Sequence, residues 1–181
     1  MSVALAIPDV PAPYALEAVL EDDVPQALRD RFGRLLARTY PSVADLYLER
    51  GWRTVRPHRR VLARRGGDVV GQITTMALVA DTPLAVYGLG DLIVEPAHRG
   101  RGLTRPLVGT AAASAFDDGA DLVVASVRRL GPALRAIGFR HVAPFELYHE
   151  AGGACVSRPT WMLVARDRLP PGPLRLAEGH F

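Results

Sequence analysis

Apolar residues recur along the chain at two different spacings, one typical of strands and one typical of helices. Leu28, Phe32 and Leu36 recur at helical spacing, whereas 121–127 is a continuous apolar run, typical of a strand buried on both faces. Residues 168–181 are rich in proline and are expected to be irregular. The whole pattern predicts, in chain order, a strand at 14–23, a helix at about 25–39, a short helix that runs into a loop within 42–56, strands at 58–65, 68–79 and 84–94, a helix at about 103–117, a strand at 121–127, a short helix at 130–137 and a last antiparallel pair at 139–149 and 159–166. We therefore expect one α/β domain with a mixed, mostly antiparallel sheet and flanking helices.

Length and composition fit a single soluble domain. The 181 residues are 49% apolar and 23% charged, enough to bury a core without disulfides or a structural metal. No run approaches the roughly 18 apolar residues of a membrane span, and the first residues lack the basic region of a signal peptide. The one cysteine, Cys155, excludes a disulfide framework and fits a reducing compartment. The expectation is a cytoplasmic protein with no membrane partner and no metal.

Arginine supplies all of the basic side chains. The 22 residues counted as Lys and Arg contain no lysine, which excludes a lysine Schiff base and a P-loop lysine. The net charge of +3 suits an acidic ligand, but acids and arginines are interspersed, so we expect no nucleic-acid partner.

The segment richest in candidate chemistry runs from Gly90 to Thr104. A predicted strand leads there into Gly100 and Gly102 and then into a helix, whose first free N–H groups form an anion site suited to a diphosphate. Thr104 adds a hydroxyl, and three arginines can pair with phosphate as forks: Arg99, Arg101 and Arg105. The alternative, favoured by the glycines taken alone, is a tight connection without a ligand.

Four residues of this loop carry a resemblance to a known family. Val94, Pro96, Arg99 and Gly102 form V-x-P-x-x-R-x-x-G, which resembles the acyl-CoA pyrophosphate motif of the GCN5-related N-acetyltransferases, the GNAT family. The family's usual ending is R-x-x-G-x-G/A, from which Thr104 departs.

A second segment and the order of the elements support the same resemblance. Residues 133–139, ALRAIGF, are similar to the family's later helix end L-Y-E-K-L-G-F. The resemblance implies a single GNAT acyltransferase domain over 1–181, with a core at about 14–166 and a tail at 167–181. It also implies acetyl-CoA as co-substrate, with no metal.

Two finer resemblances point to different donors and acceptors. Thr39-Tyr40-Pro41, Arg56-Pro57, Gly71-Gln72-Ile73 and Val127-Arg128 are similar to NodA-type N-acyltransferases, which load a fatty acyl group from acyl carrier protein. The C-terminal half, with its last residue Phe181, resembles the aminoglycoside 2'-N-acetyltransferases.

The family resemblance implies direct transfer from thioester to amine in a ternary complex. The thioester carbonyl is then expected against the strand backbone at Leu92, Ile93 and Val94, and the donor's diphosphate against the loop that follows: Arg99, Gly100, Arg101, Gly102, Leu103 and Thr104. Many relatives carry Glu-Asp or Glu-Gly just before the motif L-x-V, which here is Leu92-Ile93-Val94. Here Asp91 is the only carboxylate in that stretch, so it is the candidate general base. The alternative is a solvated or structural strand acid.

The family's usual general acid is a tyrosine, and Leu134 stands in its place. Either the thiolate leaves without a protein acid, or another group such as Tyr148 or Ser126 replaces the tyrosine.

The acceptor is expected between the segment after the first helix and the last hairpin. Acids and aromatic rings there suit a cationic amine, and the candidates are Tyr40, Tyr47, Trp52, Glu146, Tyr148 and Phe181. For each of them, packing or plain exposure is the competing interpretation.

The function expected is an N-acetyltransferase acting on a small-molecule primary amine, such as an aminosugar or a secondary metabolite, in antibiotic resistance or biosynthesis. A NodA-like enzyme with acyl carrier protein as partner is the nearer alternative, and a non-catalytic CoA-binding module the more distant one. Homodimers are common in the family, and the sequence leaves that question open.

Overall fold

The computed structural model describes residues 5–53, 55–126, 130–141, 145–148, 156–158, 161–165 and 174–177. The helices are α1 Gln26–Thr39, α2 Ala44–Arg50, α3 Thr104–Asp117 and α4 Gly131–Ala136. The strands are β1 Tyr14–Leu20, β2 Arg59–Arg65, β3 Asp68–Leu78, β4 Val86–Val94, β5 Leu122–Ser126, β6 Arg140–His141, β7 Phe145–Tyr148, β8 Val156–Arg158, β9 Trp161–Ala165 and β10 Arg175–Ala177. From β1 to α4 the order is the predicted one.

Seven strands form the main sheet in the order β1-β2-β3-β4-β5-β9-β6. Only β4 and β5 are parallel, and every other neighbouring pair is antiparallel. The predicted mixed, mostly antiparallel sheet is confirmed. The parallel pair follows from α3, which carries the chain from the end of β4 back to the start of β5.

Glycines close two of the local elements. Gly66 has a φ of 59° in the turn between β2 and β3, and Gly51 has a φ of 82° where α2 ends. Both backbones lie in the left-handed region that glycine adopts without steric cost. The Gly66-Gly67 hairpin is therefore confirmed.

Helices cover the two faces of the main sheet. One face packs against α3, where Val61 and Ile73 of the sheet lie in one buried cluster with Leu107 and Ala111 of the helix. The other face packs against α1 and α2, whose buried residues include Phe32, Leu36 and Tyr47. Among the described residues, no helix is long and apolar enough to cross a bilayer.

The end of the chain corrects two predictions. Residues 139–149 were expected to pair as a whole with 159–166, but only β6 pairs with β9. β7 instead belongs to a second sheet, of order β10-β7-β8. The stretch expected to be irregular contains a strand, β10, which runs parallel to β7. Leu174 and Leu176 are buried against apolar residues of β3, β4 and β5, and this burial is what stabilises β10.

Candidate active site

A bulge interrupts the pairing of β4 with β3 and brings the candidate base into the site. Gln72 pairs with Ile93 and Thr74 with Gly90, so Asp91 and the residue after it stand opposite the single residue Ile73. Asp91 has a φ of 49°, and it is the only non-glycine residue with a positive φ in the described parts of the chain. A left-handed residue is typical of a β-bulge. Backbone strain of this kind concentrates at functional sites.

Two hydroxyl groups donate to the Asp91 carboxylate. The Oη of Tyr47 in α2 lies 3.0 Å from Oδ1, and the Oγ1 of Thr74 in β3 lies 3.4 Å from Oδ2. Burial raises the pKa of the Asp91 carboxyl above its ordinary value, although these two hydrogen bonds and the charges of Arg60 and Arg53 act in the opposite direction. A carboxylate with a raised pKa is closer in basicity to an amine substrate than a surface aspartate is.

A cleft opens beside this carboxylate. Its volume is about 140 Å³, and its lining is apolar apart from one acid and one phenol: Tyr40, Ile73, Leu89, Gly90, Asp91, Leu92, Val108, Ala125, Leu130 and Leu134. Over the described residues, the pairing of β4 with β5 ends at Leu89 and Ala125, whereas β4 itself continues to Val94. Over the described residues, the backbone edge of β4 from Gly90 onward therefore has no strand partner on the β5 side, and Gly90, Asp91 and Leu92 line the cleft there.

The loop after β4 has the backbone geometry that an anion site needs. A short 3-10 turn, Pro96–His98, follows the strand. Gly100 and Gly102 then have φ values of 73° and 81°. Helix α3 begins at Thr104, and no side chain caps its first turn, so its N–H groups remain free for a phosphate. Leu103 is buried in the core below the loop.

The arginines of the loop differ in what they do. The Nε of Arg99 donates to the carbonyl of Val94 over 2.9 Å and so ties the loop back to the strand. Arg101 and Arg105 are exposed at the surface. All three carry the positive charge expected for a diphosphate.

Neighbouring polar residues have structural partners. Glu95, which follows β4, forms an ion pair with Arg31 of α1. His98 Nδ1 lies 3.0 Å from the hydroxyl of Tyr14, which holds the loop against β1. Both residues position the loop.

Besides Asp91 and Leu92, the predicted acceptor residue Tyr40 and the family's tyrosine position lie directly at the cleft. Tyr40 lines it with 44% of its surface exposed, and its ring lies 6.1 Å from that of Tyr47. Leu134, at the family's tyrosine position, also lines the cleft and is 1% exposed. An apolar side chain therefore occupies the position where the resemblance places an acid.

The other candidates are not among the described residues that line the cleft. Trp52, half-buried in the loop after α2, is not part of the cleft lining within the described residues. Glu146 and Tyr148 belong to β7 of the second sheet, in register with Arg175 and Ala177. Cys155 and Phe181 lie outside the described residues. No described group of three His, Cys, Asp or Glu side chains is arranged to hold a metal ion.

Sequence reasoning missed the residues that support Asp91. Tyr47, which is 4% exposed, was named only as a candidate for the acceptor site, with packing as the competing interpretation. Its hydrogen bond to Asp91 joins residues 44 positions apart in the chain. Arg60 of β2 and Thr74 of β3 were not singled out, and Gln72 of β3 appeared only in the segment that resembles NodA-type enzymes. The alternation of polar residues with apolar ones in β3 was the one available signal, but it does not specify a partner.

Comparison with known proteins agrees with this geometry. A family model described as "Acetyltransferase (GNAT) family" matches residues 24–139. A search of functionally curated proteins finds no significant match.

Solved structures share the fold. A GNAT-family N-acetyltransferase from Escherichia coli, YhbS, solved in complex with CoA, has a TM-score of 0.62 and 19% identity, covering 95% of this chain and 93% of its own. A putative acetyltransferase from Salmonella typhimurium, solved with its cofactor acetyl-CoA, has a TM-score of 0.55 and 16% identity. The match covers 89% of this chain and 98% of its own. An acyl-CoA N-acyltransferase from Pseudomonas aeruginosa has a TM-score of 0.53 and 20% identity. The match covers 84% of this chain and 99% of its own.

Proposed function

The chain belongs to the GNAT family of acetyltransferases, and from that premise we propose that it transfers an acetyl group from acetyl-CoA to a primary amine of a small molecule. The observation that carries the proposal is the position of Asp91. Its partly buried carboxylate lies in a bulge at the cleft, on the strand that leads directly into the loop proposed to bind the diphosphate. A base and a diphosphate site are thus joined by one strand.

The donor would bind through backbone groups. Gly100, Gly102 and the first turn of α3 would hold the diphosphate, with Arg101 and Arg105 as charged partners. The edge of β4 at Leu92, Ile93 and Val94 would hold the pantetheine arm and polarise the thioester carbonyl. In two relatives of the same fold this co-substrate, or CoA itself, is bound in the crystal.

The transfer would occur in one ternary complex. The amine nitrogen attacks the thioester carbonyl, the new C–N bond forms, and the C–S bond breaks with the electron pair going to sulfur. Asp91 accepts the proton that the amine must lose, directly or through a water molecule. Because Leu134 offers no acid, the thiolate leaves as such, takes a proton from water, or takes one from Tyr148 or Ser126.

The acceptor would be a cation before it reacts. Tyr40 presents an aromatic face at the cleft, and Asp91 a carboxylate, and the two suit an ammonium group. We therefore keep aminosugars and amine-bearing secondary metabolites as the acceptor class, with antibiotic resistance or biosynthesis as the context. Glu146, Tyr148 and Phe181 stay predictions for this acceptor site. A cytoplasmic location remains part of the proposal, on the basis of the single cysteine.

The size of the cleft favours a short acyl group. About 140 Å³ is small beside the roughly 300–1,000 Å³ of pockets that enclose drug-sized ligands. A NodA-like enzyme would need room for a fatty chain and a docking site for acyl carrier protein.

Acetyl-CoA binding and thiol release test the proposal together. We expect acetyl-CoA to raise the melting temperature, because a ligand that binds only the folded state stabilises it. We also expect thiol release with at least one member of a broad primary-amine panel. Competition with acyl-carrier donors is expected to leave acetyl-CoA preferred. A thermal shift without turnover would instead indicate a binding module, and the absence of both would reject the proposal.

A further inference from the structure

We propose that Gln72 and Arg60 are positioning residues for Asp91. In this proposal Gln72 fixes the backbone of the bulge, and Arg60, balanced by Glu21, holds Gln72 in place and supplies a buried positive charge behind the bulge. The proposal rests on the function inferred for Asp91, but its central claim can be measured without turnover.

Arg60 is a fully buried cation in β2. Its guanidinium is 0% exposed and donates to both carboxylate oxygens of Glu21, from Nε over 2.6 Å and from Nη2 over 3.0 Å. Glu21 is itself 2% exposed. A charged pair this deeply buried needs nearly complete hydrogen bonding, and the remaining Nη1 donates to Oε1 of Gln72 over 2.8 Å.

The contact with Arg60 dictates the orientation of the Gln72 amide. A guanidinium only donates, so the carbonyl oxygen of the amide must face it and the NH₂ group must point away. That NH₂ group lies 3.4 Å from the backbone carbonyl of Asp91. The chain of contacts therefore runs from Glu21 through Arg60 and Gln72 to the bulge.

The bulge needs such support because its conformation is unfavourable. A non-glycine residue at a φ of 49° is strained, and the surrounding structure must hold it there. Gln72 holds the Asp91 carbonyl, while Tyr47 and Thr74 hold its side chain. With both ends fixed, the carboxylate is directed to one position at the cleft.

The charges around Asp91 come close to balance. The groups that face it are the Tyr47 phenol from α2, Arg53 from the loop after α2, Arg60 from β2 and the Thr74 hydroxyl from β3. Tyr40 lies beside Tyr47. Behind Arg60 stands Glu21, which Arg29 also contacts, at 3.5 Å. Because Glu21 offsets one of these cations, a change of charge at Glu21 or at Gln72 must reach the Asp91 carboxylate.

Two substitutions of opposite sign provide the test. Glu21→Gln removes the balancing anion, so the pKa of Asp91 is expected to fall. Gln72→Glu adds an anion and removes the donor to the Asp91 carbonyl, so that pKa is expected to rise. We expect each change to be about 0.5–1 pH unit. The measurement is the ¹³C titration of the Asp91 carboxyl, assigned with Asp91→Asn, together with the acid limb of kcat/KM.

A matched control is available on the same strand pair. Glu17 of β1 forms an exposed ion pair with Arg64 of β2, so Glu17→Gln makes the same chemical change away from Asp91. Glu17→Gln is expected to leave the pKa of the Asp91 carboxyl unchanged. The double variant Glu21→Gln/Gln72→Glu moves the anion from one side of Arg60 to the other, and we expect it to restore stability if Glu21→Gln alone folds poorly.

Shifts of opposite sign in the two variants, with none in the control, support the proposal. Unchanged titration in both, or shifts in the same direction, would overturn it. If the wild type shows no turnover with any amine, the proposed function fails, and the titration of Asp91 alone decides the positioning role.

Discussion

The phenol of Tyr47 donates a hydrogen bond to Oδ1 of Asp91 over 3.0 Å, which joins helix α2 to the bulge in β4. The sheet fixes the backbone of Asp91, whereas a helix outside the sheet fixes one oxygen of its carboxylate. The position of the candidate base therefore depends on how α1 and α2 pack.

Tyr47→Phe is expected to raise the pH at which activity is lost on the acid side. The Tyr47 hydrogen bond stabilises the ionised carboxylate, so without it the pKa of Asp91 rises further, by about one pH unit. The pH profile of kcat/KM measures this, and the rate above the acid limb should change much less. Tyr40→Phe is the control, because Tyr40 lines the cleft without bonding to Asp91 in the described structure. An acid limb at the wild-type pH in Tyr47→Phe would contradict the role of the phenol.

Asp91→Asn is expected to lower activity and raise stability. Turnover should fall by about 100-fold if Asp91 is the general base, with CoA affinity unchanged. Burial raises the pKa of Asp91 in the folded state, so its contribution to stability is fully present at low pH and is lost as the pH rises through the folded pKa. Asparagine carries no charge and tolerates the left-handed backbone. The variant should therefore have a higher melting temperature than the wild type at pH 8. This difference in melting temperature should disappear as the pH falls. Equal melting temperatures at pH 8 would show that the ionised carboxylate has no cost in the fold.

Gly33→Ala is expected to destabilise the protein and reduce activity together. A Cβ at Gly33 would lie 2.5 Å from the backbone oxygen of Tyr47, so α2 must move and carry the phenol with it. We expect a loss of about 1–3 kcal/mol in the free energy of unfolding, measured by denaturant titration. Gly67→Ala is the matched change, since no atom lies within 4 Å of its Cβ, and it should alter stability by less than about 0.5 kcal/mol. A stable and fully active Gly33→Ala would mean that α2 is not confined by α1.

Thr75→Val is expected to raise stability, whereas Thr74→Val is expected to lower activity at acid pH. The Oγ1 of Thr75 is buried and has no hydrogen-bond partner among the described residues, so replacing it with a methyl group should raise stability by about 1 kcal/mol. The Oγ1 of Thr74 donates to Asp91, so its loss should lower kcat/KM at acid pH. Thermal unfolding and pH profiles of both variants measure the contrast. A destabilised Thr75→Val would indicate that its hydroxyl has a partner after all.

Gly102→Ala tests the diphosphate loop. At a φ of 81° an alanine costs roughly 1–2 kcal/mol, and this strain is expected to displace the loop and weaken CoA affinity by about tenfold. Gly119→Ala carries comparable strain, at a φ of 98°, in the turn after α3. It should reduce stability and leave CoA affinity unchanged, as measured by calorimetry. Equal losses of affinity in both variants would remove Gly102 from the site.

Local patterns in the sequence predicted the framework of the site. The helical spacing of Leu28, Phe32 and Leu36 predicted α1, and the strand, two glycines and helix predicted the loop that we propose binds the diphosphate. The resemblance to the GNAT family that this stretch carries singled out Asp91. The helix, the strand and the loop depend on residues near one another in the chain, which is why periodicity and spacing were sufficient to predict them.

The chain's end shows where local patterns mislead. Leu174 and Leu176 alternate with polar neighbours as a strand should, but the prolines around them suggested irregular structure. Only their packing against apolar residues of the main sheet, such as Met76, Val86 and Leu122, determines that they are buried.

Tertiary structure alone decided how Asp91 is held. Arg60 lies in the run RRVLARR, which by itself suggests a surface strand, and it becomes buried because Glu21 meets it from 39 positions away. The hydrogen bond from Tyr47 to Asp91 joins residues a similar number of positions apart, 44. A buried charge or phenol is tolerated only where packing supplies its partner, and that partner is set by the fold as a whole. The resemblance carried by the sequence thus singled out the candidate base, and the packing of α2 and β2 around it decided its hydrogen bonds and its position.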